Sequence, residues 1–237
     1  MGLGDILPRL SEAIGNIAMV WVIPILLAIT LHEAAHGWVA LRLGDDTAYR
    51  LGRVTFNPFR HVDRFGTVVL PALMLFAAGG QMLFGFAKPV PVNFARLRRP
   101  RRDMVLVAAA GPAMNLALAV VSAALFHGVY YLPADVAWRV NANLANSVWI
   151  NMLLCVFNLL PIPPLDGGRV AVGLLPPPLA IRLARLERHG IFIILGPVFA
   201  LPLIGDMLGM DLDVFWWLVD APAAYLSDLI PTLLGVY

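Results

Sequence analysis

Leu31-His32-Glu33-Ala34-Ala35-His36-Gly37 lies inside an apolar stretch, Val20 to Leu43, long enough to cross a lipid bilayer. On a helix, residues four apart share a face, so both imidazoles project together and can hold one tetrahedral metal ion. The Glu33 carboxylate then stands beside the ion's open position without being needed as a ligand. That is the layout of a zinc hydrolase. Ionised residues in the middle of a spanning segment cost about 2.5 to 3.5 kcal/mol each on insertion scales, so they seldom sit there as filler. The blander alternative is polar decoration, two histidines hydrogen-bonded in a helix interior. The five-residue pattern is too rare at ordinary His and Glu frequencies to favour it.

Working outward, 60% of the 237 residues are hydrophobic and the mean hydropathy is +0.79, so lipid is the main solvent of this chain. A net charge of +2 and a pI near 9.0 would hint at nucleic acid in a soluble protein. Here the arginines cluster in short loops between apolar runs, and no nucleic-acid signature is present. The single cysteine, Cys155, excludes an internal disulfide and reads as a small buried apolar residue. Residues 1–16 read as a short amphipathic lead-in. A cleavable signal peptide is disfavoured, because the apolar run behind it carries the His/Glu cluster.

Apolar runs at 18–41, 104–131, 147–175 and 189–208 predict spanning segments. Two more are ambiguous: 66–86, broken by Pro71 and Gly79-Gly80, and 214–237, broken by Asp220, Pro222, Asp228 and Pro231. There is no internal repeat and no connection long enough for a separate domain. The expectation is an all-α polytopic membrane protein of four to six transmembrane helices, one domain over 1–237 with a core at 18–175 and C-terminal helices at 189–237. Five arginines from Arg42 to Arg64, Lys88 with five arginines from Arg96 to Arg102, and Arg182, Arg185 and Arg188 place three connections in the cytoplasm by the positive-inside rule. If the first two share a side, 66–86 cannot cross once. It must enter and return, giving a re-entrant or β-hairpin segment around 66–93.

A catalytic zinc needs a third protein ligand at membrane depth. Asp166 is the only acidic residue in the run from Ser147 to its end, and the surrounding Pro161, Pro163, Pro164, Gly167 and Gly168 would unwind the chain there. The alternative is a helix end with Asp166 solvated at the interface. Asp166 and the histidines meet at similar depth only if both segments run from outside to inside, a second argument that 66–86 re-enters. Gly111-Pro112-Ala113-Met114-Asn115 suits close helix approach and a kink, and puts an amide inside the membrane. Asn115 could donate to a reacting water, an anionic intermediate or a substrate carbonyl, or make an interhelical hydrogen bond.

Together these elements resemble the site-2 protease family of intramembrane zinc metalloproteases, which combine His-Glu-x-x-His, a Gly-Pro-x-x-Asn-type element and an Asn-x-x-Pro-x-Pro-x-Leu-Asp-Gly element in this order. The resemblance covers about residues 30 to 170. Asn57-Pro58-Phe59-Arg60-His61-Val62-Asp63-Arg64-Phe65-Gly66 and Phe84-Gly85-Phe86-Ala87-Lys88-Pro89-Val90-Pro91-Val92-Asn93 look like connecting segments of the subgroup that lacks a PDZ domain. The resemblance implies one Zn2+ per chain held by His32, His36 and Asp166, with Glu33 as general base and then acid. It implies that Asn115 and Asn158 position substrate or stabilise charge. It further implies a transmembrane protein substrate cut in or near the bilayer, and an integral plasma (inner) membrane location with the active site toward the cytoplasm. Val90-Pro91-Val92 could offer an extended edge to an unwound substrate. His127 and His189 match no motif and read as structural or interfacial. A metal-ion or proton transporter using the same His/Glu/Asp cluster is the rival function, and the matching halves common in transporters are not visible.

Overall fold

The computed structural model describes residues 3–61, 63, 66, 69 and 88–236, without the side chains of 3–14, 16–18 and 191. Helix α1, Leu3–Arg42, is continuous through the lead-in and the first apolar run. Gly44, at φ 112°, ends it: Asp45 N–H reaches back to the Ala40 carbonyl at 2.9 Å, a closure that needs a positive φ. A single turn, α2 (Thr47–Arg50), follows.

Helix α3, Pro100–Val129, starts on a proline whose missing N–H costs nothing at that position, and Asp103 caps it by accepting the Arg99 N–H at 2.8 Å. Helix α4, Ala134–Leu159, stops before Pro161, Pro163 and Pro164, and the chain resumes as α5, Asp166–Leu174. The apolar run 147–175 is thus not one helix: the prolines, which cannot donate within a helix, divide it at Leu160 to Leu165. Then come α6 (Pro177–Arg185) and α7 (Gly190–Leu208). A π-helical turn, Trp216–Asp220, leads into α8 (Ala221–Leu233).

Among the described residues, Met19–Arg42, Pro100–Val129 and Ala134–Leu159 are long and apolar enough to cross a membrane. A fourth crossing is present if Pro177–His189 and Phe192–Leu208, bent by 68°, form one broken span, which is the lower end of the expected range. Val22, Ile23, Leu27, Val121 and Leu125 are each about half exposed, an apolar surface suited to lipid rather than water.

Cross-helix contacts fix direction. On α3, Val107 meets His36 while Asn115 meets His32 and Ala28, so α3 runs antiparallel to α1. On α4, Asn146 bonds to Val20, Asn151 reaches the Asn115 that touches Ala28, and Asp166 beyond its end meets His32 and His36, so α4 runs parallel to α1. Residues 43 and 98 are joined by the Arg98 N–H to Leu43 carbonyl bond at 3.1 Å, so the connection between α1 and α3 leaves and returns at one end. The re-entrant or hairpin segment expected around 66–93 falls largely outside the described residues.

Small residues let the helices close up. Ala119 and Ala123 of α3 pack with Val148, Met152 and Cys155 of α4 and Ala223 and Ile230 of α8. Cys155 is a free, buried thiol in this cluster, and the His127 ring bonds the Leu234 carbonyl at 2.9 Å beyond the end of α8. Gly190 packs where a Cβ would strike Pro163 and Pro164, which seats the start of α7 on the unwound turn.

Candidate metal centre

Helical spacing brings His32 and His36 to the same side of α1, with Nε2 atoms 3.1 Å apart. The proline-broken chain after α4 delivers Asp166 to the same point: Oδ2 lies 3.2 Å from each of those nitrogens. Three ligand atoms thus form a nearly equilateral triangle. A tetrahedral ion with bonds of about 2.0 to 2.1 Å has ligand-to-ligand edges of about 3.3 to 3.4 Å, so these three residues fit three corners of such a site with little adjustment. All three side chains are buried. Among the described residues this is the one group of His, Cys, Asp and Glu that converges in this way.

Each imidazole is held from behind. The Nδ1 of His36 donates to the Val107 carbonyl at 2.7 Å, and the Nδ1 of His32 lies 2.6 Å from the Asn115 Oδ1. With the ring hydrogen on Nδ1, the Nε2 lone pair faces the centre, as a ligand requires. Gly111 of α3 permits the approach: a Cβ there would collide with Nε2 of both histidines. Gly167 and Gly168 play the same part around Asp166, since side chains on them would strike the backbone of Leu159, Leu160 and Pro163.

Glu33 is half-buried and does not join the ligand triangle. Its Oε2 accepts the Val90 N–H at 2.6 Å. Val90 in turn packs at Gly37, where a Cβ would press on Val90 and Val54. The chain around Val90 is irregular, and it is fastened by Lys88 N–H to the His61 carbonyl at 2.9 Å, by Arg53 Nη2 to the Lys88 carbonyl at 2.6 Å and by Asn93 N–H to Asp45 Oδ2 at 2.6 Å. Burial alone would push the Asp45 carboxyl up, but hydrogen bonds from Thr47 and from the Asn93 amide, with Arg96 nearby, hold it below its ordinary range.

The asparagines divide. Asn115 is fully buried, with its oxygen on His32 and its nitrogen on Asn151 at 2.8 Å, so its amide is already committed within the helices. Asn158 is half-buried and donates to the Leu154 carbonyl of its own helix at 3.0 Å, with no hydrogen bond to His32, Glu33, His36 or Asp166. Sequence reasoning missed Asn151. The signal was there: an amide in an apolar spanning run needs a partner, the same logic that singled out Asn115. The Val90 N–H on Glu33 is a backbone contact, and no residue type announces it.

Comparison with known proteins bears on this geometry. The family model described as "Peptidase family M50" matches residues 20–137 and 128–196, which include every residue of the triangle. The chain is 40% identical over 187 residues to "Putative zinc metalloprotease YwhC" of Bacillus subtilis (strain 168), covering 77% of this chain and 80% of that protein. It is 32% identical over 195 residues to "Putative zinc metalloprotease Rip2" of Mycobacterium tuberculosis (strain ATCC 25618 / H37Rv), covering 82% and 71%. No solved structure matches the chain. Two long matched segments that carry the His-Glu-x-x-His helix and its aspartate partner leave one assignment: this chain belongs to Peptidase family M50.

Proposed function

We propose that this chain is a zinc endopeptidase that cuts peptide bonds within or beside the transmembrane segments of other membrane proteins. The observation that carries it is the 3.1 to 3.2 Å triangle of His32, His36 and Asp166, buried among helices apolar enough to cross a bilayer. Those three residues would hold one zinc, which when bound polarises a carbonyl and makes water acidic near neutral pH. Glu33, next to His32 and outside the triangle, takes a proton from the attacking water and returns it to the departing amine as the peptide C–N bond breaks. Its bond from Val90 orients the carboxylate, leaving the other oxygen for the water. Asn115 serves by holding His32. Asn158 is assigned to substrate positioning, its Oδ1 having no partner among the described residues.

A helical substrate hides its peptide bonds in its own hydrogen bonds, so a stretch must unwind before attack, and the broken backbone at Leu160 to Leu165 borders the place where this happens. We assign the whole of 1–237 to one protease domain, α8 and α7 bracing the core at 18–175 through the Ala223/Ile230 cluster and Gly190. The arginine-rich connections favour a plasma (inner) membrane location with the site toward the cytoplasm.

The test is cleavage of a membrane-protein substrate by the purified protein in liposomes, with Glu33→Gln beside it. One zinc per chain in both proteins and cleavage in wild type alone are expected. Undiminished cleavage by Glu33→Gln would overturn the assigned base, and a wild-type protein that binds no zinc would overturn the whole function.

A further inference from the structure

We infer that Asn151, a residue of α4 that hydrogen-bonds to Ser147 and Asn115 and not to Glu33 or the metal ligands, is a positioning residue that fixes the ring proton of His32 and so frees its Nε2 to bind zinc; this rests on the zinc-peptidase function proposed above. The chain of hydrogen bonds has one permitted direction at every link. It begins at the Ser147 carbonyl, which can only accept. The Asn151 Nδ2 faces it at 2.8 Å, and Asn151 Oδ1 is thereby turned the other way. Against that oxygen, at 2.8 Å, stands the Asn115 amide. An oxygen there would set two acceptors together, so Asn115 must present its Nδ2. The Ala28 carbonyl, 3.4 Å from the same nitrogen, asks for the same orientation from the side of α1. Asn115 Oδ1 is left pointing at His32 Nδ1, 2.6 Å away, and as an acceptor it requires the hydrogen on Nδ1. A neutral imidazole with hydrogen on Nδ1 carries its lone pair on Nε2, the atom that faces His36 and Asp166.

His36 reaches the same state in one step, because a backbone carbonyl already lies against its Nδ1. His32 lies against an amide, which can turn over and offer either a donor or an acceptor. Asn151 removes that freedom. Burial makes the link matter: Asn115 is 0% and Asn151 1% exposed, so water is not at hand to replace a lost partner. Ser147 is itself braced, its hydroxyl 2.7 Å from that of Ser122. With Asn151 replaced by an apolar residue, the Asn115 Nδ2 keeps only the long bond to Ala28. It can then rotate to donate to His32 Nδ1, which favours hydrogen on Nε2 and blocks ligation.

The experiment measures zinc affinity of the full chain in detergent, by competition with a chelator, for wild type, Asn151→Leu and Asn146→Leu. Asn146, on the same helix, makes an interhelical bond of its own, to the Val20 carbonyl of α1 at 3.0 Å, with no link to His32. Loss of a partner behind a metal-binding histidine typically weakens affinity by about 10- to 100-fold, and that is the loss expected for Asn151→Leu. Asn146→Leu is expected to bind like wild type. Equal affinity in wild type and Asn151→Leu, or an equal loss in both variants, would overturn the inference. Nitrogen chemical shifts of His32 in zinc-free wild type test it without any substitution: hydrogen on Nδ1 is expected, and an Nδ1 without hydrogen would sink it. If wild type binds no zinc, the peptidase function fails; if it binds zinc and Asn151→Leu binds it as well, only the role of Asn151 fails.

Discussion

The two sides of the metal centre are built by opposite rules. On the interior side, beneath α3 and α4, the histidines are buried and their back nitrogens are taken by Val107 and by Asn115, itself locked by Asn151. On the outer side, Glu33 is half-buried and holds one hydrogen bond among the described residues, from the amide of Val90 on an irregular strand of chain. The difference matches what each side would do in the proposed reaction. A metal site gains affinity from ligands that are already aimed, whereas a proton carrier must exchange partners during turnover. Regular helices supply the first and an exposed connection the second.

The comparison can be broken hardest at the ligands. His36→Ala and Asp166→Ala should each lose stoichiometric zinc and all cleavage, since two remaining ligands cannot hold the ion; metal analysis of the two purified variants checks whether residues 130 apart in sequence make one site. Gly111→Ala should do nearly as much without replacing a ligand, because its methyl group enters the space of both Nε2 atoms. Zinc retained at wild-type affinity in Gly111→Ala would mean that the interior side is looser than drawn. Glu33→Gln should keep zinc and lower the cleavage rate by about 10²- to 10⁴-fold, the usual worth of a general base.

A finer cut falls on Val90→Pro, which deletes the N–H held by Glu33. A hydrogen bond to a charged group is worth about 1.5 to 3 kcal/mol, so a rate loss of about one to two factors of ten is expected with zinc affinity unchanged. Loss of zinc in that variant would show that the two sides are not independent. The smallest effect concerns acid. Asp45 anchors the outer connection through Asn93, and its carboxyl is held below its ordinary value, so its contribution is present above about pH 4, the unfolded value, and is lost as pH falls through the lower folded value. Hydrogen exchange at the Asn93 amide should stay slow down to about pH 4 and quicken only below it.

Much of this was legible in the chain itself. The spacing of His32 and His36 places them on one helix face, and Asp166 stands out because it is the acid that ends an apolar run broken by prolines. Gly111 was readable as a point of close approach, though not as the point where α3 meets both imidazoles. Other features were not legible. The prolines announced an unwound stretch in the 147–175 run, but not its bounds, Leu160 to Leu165. Asn115 could have reached a substrate or bonded between helices, and the sequence did not choose; in the fold its oxygen lies on His32 and its nitrogen on Asn151.

Sequence alone determined that this protein lives in lipid and which residue types could bind a metal there, because apolar length and helical period act locally and survive without knowledge of the fold. Tertiary structure alone decided which distant atoms close the triangle, which carbonyl and amide set each imidazole proton, and that the amide of Val90 rests on Glu33. Those choices depend on how α1, α3 and the end of α4 pack, and a contact between residues 57 or 134 apart leaves no periodic trace in the chain.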